Sequence, residues 1–511
     1  MHKPGALGAV TLAVAAALAL AGCSSAGSTG SPAATSGSTA ASGYDANATI
    51  QVGSIYAPQN LDNTAGGGQG VTEALNGNVY EALYKLGDDG KVTPLLASAE
   101  KHSADGLTYT FTLRHGVVFH SGQPLTAQDV KYSIEKVLAP ASQSARKSDL
   151  QVIKSVATPN DDTVVITLSK PSISLTYNLS YVWIIQRDAK NLKTTEDGTG
   201  PYTVTNWNPG TSLTLTRFDK YWGTPAKNKQ VTYTYYKDAT AENNALLSGQ
   251  LDVVTSEQGP DALSQFENNP QYKVNDGSST TKLLLAFNDR VAPFNKTAVR
   301  VAITRAINRP ALLKSVWGSY GQVTGSMVPP TDPWYQNLSS VYPYDPAKAK
   351  KELAAAGYPH GFSFTLVTPN YDPHPQAAAF IKQELSKIGV TVKIEIVTPD
   401  QWYTKVYQNH DFVATMQEHV NDRDVVWYGN PDFYWGYNNP KVTSLIDQSE
   451  EAPSPAGQTA DLKKANQIIV KDAASDWLYL YPQIVVAKST LKGYPLNGLN
   501  SQFYVYDITK S

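Results

Sequence analysis

The chain has 511 residues, a formal net charge of −2, and only 17% charged residues. That balance excludes the clustered Lys/Arg surface of a nucleic-acid-binding protein, and the low charge argues against a disordered chain. There is one cysteine, Cys23, so no disulfide can form within the chain.

The first segment reads as an address. Behind the polar head His2-Lys3, nearly every residue from Ala6 to Ala21 is Ala, Val, Leu, Gly or Thr. This is the pattern of a secretory signal peptide, here over residues 1–22. The run is shorter than the roughly 20 apolar residues that a membrane-spanning helix needs. Leu20-Ala21-Gly22-Cys23 resembles the lipobox of bacterial lipoproteins. That resemblance implies that Cys23 becomes the new N-terminus and carries diacylglycerol on its sulfur, a palmitate-type anchor. The rest of the segment 23–43 is rich in Ser, Gly and Ala, with neither charge nor large apolar residues, and is expected to be a flexible tether. The expected location is extracytoplasmic, on the outer face of the cell membrane, or in the periplasmic space where a cell has one.

The body, residues 44–511, is too long for one hydrophobic core and predicts at least two lobes. Its elements alternate. A strand opens at Ala48. Val71, Leu75, Val79, Ala82, Leu83 and Leu86 recur at helical spacing and predict one helix ending at Gly87-Asp88-Asp89-Gly90. Leu107–Leu138 reads as strand, turn, then helix, with Thr126 as N-cap and Asp129 completing a capping box. Asp161–Pro171 is a strand, and Gly198–Gly223 a hairpin turning at Pro209-Gly210. Ala239–Ser256 is a helix, a glycine stop and a short buried strand; Lys282–Phe294 is a strand. Asn295–Gly318 is a helix interrupted at Pro310, and Asp345–Tyr358 a helix with a glycine C-cap. Strand, helix and strand follow over residues 361–400. Strands alternating with helices define an α/β protein.

No chemistry-bearing motif emerges from spacing. There is no G-x-S-x-G and no H-E-x-x-H, so no enzyme is expected. Gly66–Gly70 lacks the Lys-Ser/Thr of a phosphate loop and reads as a flexible glycine loop. The body's histidines, His102, His115, His120, His360, His374, His410 and His419, form no i, i+4 pair, so no metal or other cofactor is assigned. Trp183, Trp207 and Trp402 read as packing residues, and Asp62 as fixing its own loop. The densest polar and aromatic stretch is Glu418–Tyr437.

Six stretches, in order, resemble the solute-binding proteins of ABC importers, in the dipeptide- and oligopeptide-binding class. They are VYEALYKLGDDGKVTPLLA, YTFTLRHGVVFHSGQPLTAQDVKYSI, GTGPYTVTNW, LLLAFNDRVAPFNKTAVRVAITRAINRPAL, YDPAKAKKELAAAGYP and FIKQELSKIGVTVKIEI. The resemblance implies a two-lobed periplasmic-binding-protein-like fold with two hinge crossings. Lobe I would comprise 44–80, 197–281 and 485–511, with a subdomain inserted at 81–196, and lobe II would be 282–484. It implies a monomer that closes on a ligand, most simply a short peptide, and hands it to permease and ATPase subunits. An oligosaccharide or a metal chelate is the alternative ligand, and a secreted hydrolase or signalling receptor the more remote one.

The same resemblance places candidate ligand contacts. Asp422 matches the aspartate that receives a peptide's α-ammonium, with Asn421, Asp424, Trp427 and Tyr428 as neighbours. His419 stands where the family usually has Trp. The loop Thr368–Gln376 lacks the arginine that some dipeptide-binding relatives aim at the ligand carboxylate, which leaves charged His374 and Tyr371 as candidates. Tyr56 and Asn60 match the first-lobe edge of the cleft.

Overall fold

The computed structural model describes residues 43–66 and 68–511. The signal peptide, Cys23 and the tether up to residue 42 lie outside the described residues. No described helix is long and apolar enough to cross a membrane.

One ten-stranded sheet organises the body. Its first half joins strands Tyr202–Asn208, Ser212–Arg217, Gln230–Tyr235, Thr49–Ser54 and Val253–Val254. Its second half joins Ala414–His419, Ser363–Pro369 and Thr391–Val397. Two long antiparallel strands, Tyr272–Phe287 and Ser475–Lys488, run through both halves. In the first half they pair Tyr272–Ser278 with Pro482–Lys488; in the second they pair Lys282–Ala286 with Ser475–Leu480. The register slips between Ser278 and Lys282, a bulge that breaks the ladder and bends the strand where the halves meet. This gives two lobes joined by two crossings.

A separate four-stranded antiparallel sheet holds Ala97–His102, Thr108–Leu113, Thr163–Leu168 and Ile153–Asn160. It packs the helix Ala127–Leu138 over its own core, which includes Phe111, Phe119, Ile134 and Ile166. Strands alternate as predicted: Thr163–Leu168 buries Val164, Ile166 and Leu168 and leaves the residues between them part-exposed. The Thr126 and Asp129 capping box forms as expected.

The helix expected over 70–86 is three pieces. It stops at Leu75, turns through Gly77 at φ 68°, and resumes as strand Tyr84–Leu86 paired with Val92–Pro94. The Asn76-Gly77 turn overrides the periodicity. A side chain at Gly77 would meet the Tyr504 ring, so only glycine fits there. Val79, Ala82, Leu83 and Leu86 are all buried, so their spacing mimics one helical face. The strand expected from Lys282 begins instead at Tyr272, because its outer half pairs into the first lobe. The helix break near Pro310 is present, between Ala306 and Arg309.

Candidate functional site

Between the halves, beside the bulge, lies a small cavity of about 50 Å³. Its walls come from both halves of the sheet and from the C-terminal segment. They carry Tyr56, Gln69, Glu73, Thr255, Gln258, Ser279, Thr281, Glu418, Tyr481, Gln483, Ser501 and Gln502. Glu73 is on the buried face of helix Gly68–Leu75, where its carboxylate accepts a hydrogen bond from Thr255 at 3.2 Å. That helix approaches the Tyr56–Pro58 backbone so closely that a Cβ at Gly70 would lie 2.2 Å from the Tyr56 carbonyl oxygen. Close approach, not flexibility, is thus the reason for a glycine at the end of the Gly66–Gly70 run.

Glu418 enters from the second half. Alternation along Ala414–His419 sends Glu418 and His419 to opposite faces, so one strand supplies two environments. Tyr371 donates to Glu418 Oε1 at 3.3 Å. Burial pushes both Glu73 and Glu418 up to about 7, against the hydrogen bonds from Ser54 and Thr255 in one case and Tyr371 in the other.

His419's face is different. Lys282, paired with His419 in the register, is fully buried and lies 3.7 Å from Asp424. Its ammonium also donates to the Asn421 carbonyl. His419 Nδ1 sits 3.3 Å from Asp424, and Nε2 2.9 Å from the Tyr434 hydroxyl. Burial alone would raise Asp424, but Lys282 and His419 bring it down to about 2. This carboxylate is neutralised from within the protein.

Asp422 is 6% exposed and lines neither cavity; it sits among Tyr177, Arg423 and Asn500. Its Oδ1 accepts from the Tyr177 hydroxyl and, at 2.9 Å, from the Arg423 backbone N–H. Its own N–H donates to Asn500 Oδ1 at 3.2 Å. Asn500 and Ser501 hold left-handed backbone, φ 50° and 61°, strain of the kind that persists where surroundings over-determine it. Among the described residues no hydrogen bond falls on Asp422 Oδ2. The Arg423 guanidinium stacks 3.4 Å from the Tyr177 ring centre. Beside these residues opens a larger cavity of about 550 Å³, of mixed charge, lined by Arg146, Asp149, Tyr177, Asn421, Arg423, Asp424, Trp427 and Glu450 among others.

The predicted residues divide. Tyr56 lines the hinge cavity; Asn421, Asp424 and Trp427 line the larger one. Tyr371 supports Glu418. His374 has no room for a charged role: it is completely buried, neither ring nitrogen has a hydrogen bond, and burial pulls it down to about 4. Tyr428 is core, stacked 4.3 Å from Trp435 with its hydroxyl on Ser475. Asn60 lines neither cavity and ties its own loop, donating to the Gly66 carbonyl and accepting from Asp62 N–H. His419 packs among Phe433, Tyr434 and Trp435. Asp62 does bond its own loop at Thr64, and also pairs with Lys136 at 2.7 Å. Trp183 stacks on Tyr80, and Trp402 hydrogen-bonds Thr415; both are buried, while Trp207 packs part-buried on the first-lobe core. Sequence reasoning missed Glu73, Glu418, Arg146 and Arg423. Only the polarity of Glu73 on an otherwise buried helix face was a signal.

This fold and cleft are those of two-lobed binding proteins. DppA from Helicobacter pylori, solved with the peptide STSA, superposes with a TM-score of 0.76 at 25% identity, over 91% of this chain and 98% of that one. CtaP from Listeria monocytogenes shares the fold at TM-score 0.81 and 21% identity, over 91% and 99%. The glutathione-binding protein GsiB of Escherichia coli K12 is 26% identical over 448 residues, 82% of this chain and 86% of that protein. The family of bacterial extracellular solute-binding proteins, family 5, matches residues 91–424 through its middle region, and the chain belongs to it.

Proposed function

We propose that the protein is a lipid-anchored, extracytoplasmic receptor that captures a short peptide and presents it to the permease and ATPase subunits of an ABC importer. The carrying observation is Asp422. Its carboxylate is oriented by Tyr177 and Arg423 and keeps Oδ2 without a hydrogen bond at the meeting of both lobes. A ligand ammonium there gains a charge-assisted hydrogen bond. Because the ligand touches both lobes only when they are closed, it selects the closed form. The segments 44–80, 197–281 and 485–511 make lobe I, 81–196 its insert, and 282–484 lobe II. Relatives named for glutathione and for a bound STSA peptide support a ligand of this size. No bond is made or broken in this cycle.

The test is to purify the full chain natively, denature it, and identify released small molecules by mass spectrometry. Peptides within a narrow length range are expected. A sugar or a metal chelate in their place overturns the reading.

A further inference from the structure

The hinge cavity carries one sign of charge. Among the described residues that line it there is no Lys, Arg or His. Outside the cavity lining, near Glu73, stands buried Glu242, with buried Glu257 beside it. Glu242 is 1% exposed with no hydrogen bond on either carboxylate oxygen, and Glu257 is fully buried with Oε2 unpartnered. No cationic group acts on any of the four. A buried carboxyl without a counter-charge is held toward its protonated form, and a cation bound beside it favours the charged form. A second, independent feature points into the same space. Tyr481 is 7% exposed and lines the cavity, and its hydroxyl makes no hydrogen bond. Each buried polar group in a native fold is expected to have a partner. A hydroxyl both donates and accepts, so a bound polar group can complete it, and an N–H donor would take its oxygen as acceptor.

We infer that the hinge cavity is a subsite for an organic cation, an ammonium or guanidinium held between Glu73 of one lobe and Glu418 of the other, with the Tyr481 oxygen as a further acceptor. No group of three His, Cys, Asp or Glu among the described residues is disposed to hold a metal ion, which favours an organic cation. Resting on the peptide reading above, the cation is a lysine or arginine side chain, and the receptor selects basic peptides. Glu73 and Glu418 come from opposite lobes, so this charge adds to closure as well as to affinity. The larger cavity, with Arg146, Lys170 and Arg423 beside its carboxylates, has no such sign preference.

The experiment is calorimetric titration of the full chain with tri-alanine, with the three tripeptides carrying lysine at one position, and with their Nε-acetyl-lysine counterparts. Agmatine is titrated alone as a non-peptide cation. One lysine peptide is expected to bind at least about tenfold more tightly than its acetylated counterpart. In Glu73→Gln and Glu418→Gln that ratio is expected to fall toward one, with folding of each variant checked by its thermal midpoint. Lysine and acetyl-lysine peptides that bind equally well overturn the cation subsite and leave the peptide reading standing. Agmatine that binds in a Glu418-dependent way, with no peptide binding, keeps the subsite and overturns the peptide reading. If neither agmatine nor any peptide binds, the subsite is overturned.

Discussion

Two acidic clusters share the cleft and differ in one respect. Asp424 has its counter-charge inside the protein, in Lys282, with His419 hydrogen-bonded beside it, and is held well below the ordinary carboxylate range. Glu73 and Glu418 have none and are pushed up to about 7. Both clusters hang on the same short stretch, since Glu418 and His419 are adjacent and point to opposite faces. The compensated cluster holds the second lobe together, whereas the uncompensated one is left for a ligand to complete. A buried carboxylate is therefore informative only together with its partners.

The largest expected effect breaks the compensated side. Lys282→Met leaves Asp424 buried without its ammonium and should cost about 3–5 kcal/mol in chemical denaturation. A loss below about 1 kcal/mol would show that Asp424 does not depend on Lys282.

Next, the uncompensated side should respond in the opposite sense. In the folded protein Glu73 titrates near 7, against an ordinary value of 4.5. Glu73's own contribution to the stability of the ligand-free protein is fully present below about 4.5, is lost as pH rises toward 7, and is not regained above it. Glu73→Gln should match wild type at about pH 5 and exceed it by up to about 3 kcal/mol at about pH 8, read by urea unfolding at both values. An equal offset at both pH values would mean that burial does not raise the Glu73 carboxyl above its ordinary value.

Asp422→Ala should weaken binding of a co-purified peptide by about 2 kcal/mol by calorimetry, the loss of a charged hydrogen bond. Unchanged affinity would remove Asp422 from the ligand. The smallest expected effect is on stability in Tyr481→Phe, within about 0.5 kcal/mol, because the hydroxyl deleted has no partner in the ligand-free fold. A clear loss in thermal unfolding would reveal a structural role for that hydroxyl.

The sequence carried the fold further than the site. Period-2 alternation in Thr163–Leu168, the Thr126–Asp129 capping box and the Pro209-Gly210 turn are local physics and appear as read. The one long misreading, at residues 70–86, came where burial on several sides imitated a helical face. Of the candidate site, Asp422 and Tyr56 were both reached only through the family resemblance. His374 was misjudged because a histidine between prolines in a polar loop looks exposed, while packing seals it completely.

The chain by itself determined most strands and helices, their order and the Thr126–Asp129 cap, because these depend on neighbours within a few residues; residues 70–86 and the outer half of Tyr272–Phe287 needed the tertiary structure. It also carried the family pattern, spread over six stretches. Tertiary structure alone decided which carboxylates are paired. Lys282 meets Asp424 through a strand register, and Glu73 and Glu418 line one cavity from elements far apart in the chain. Such partners are far apart in sequence, and the charge state of a buried group depends on what surrounds it in space.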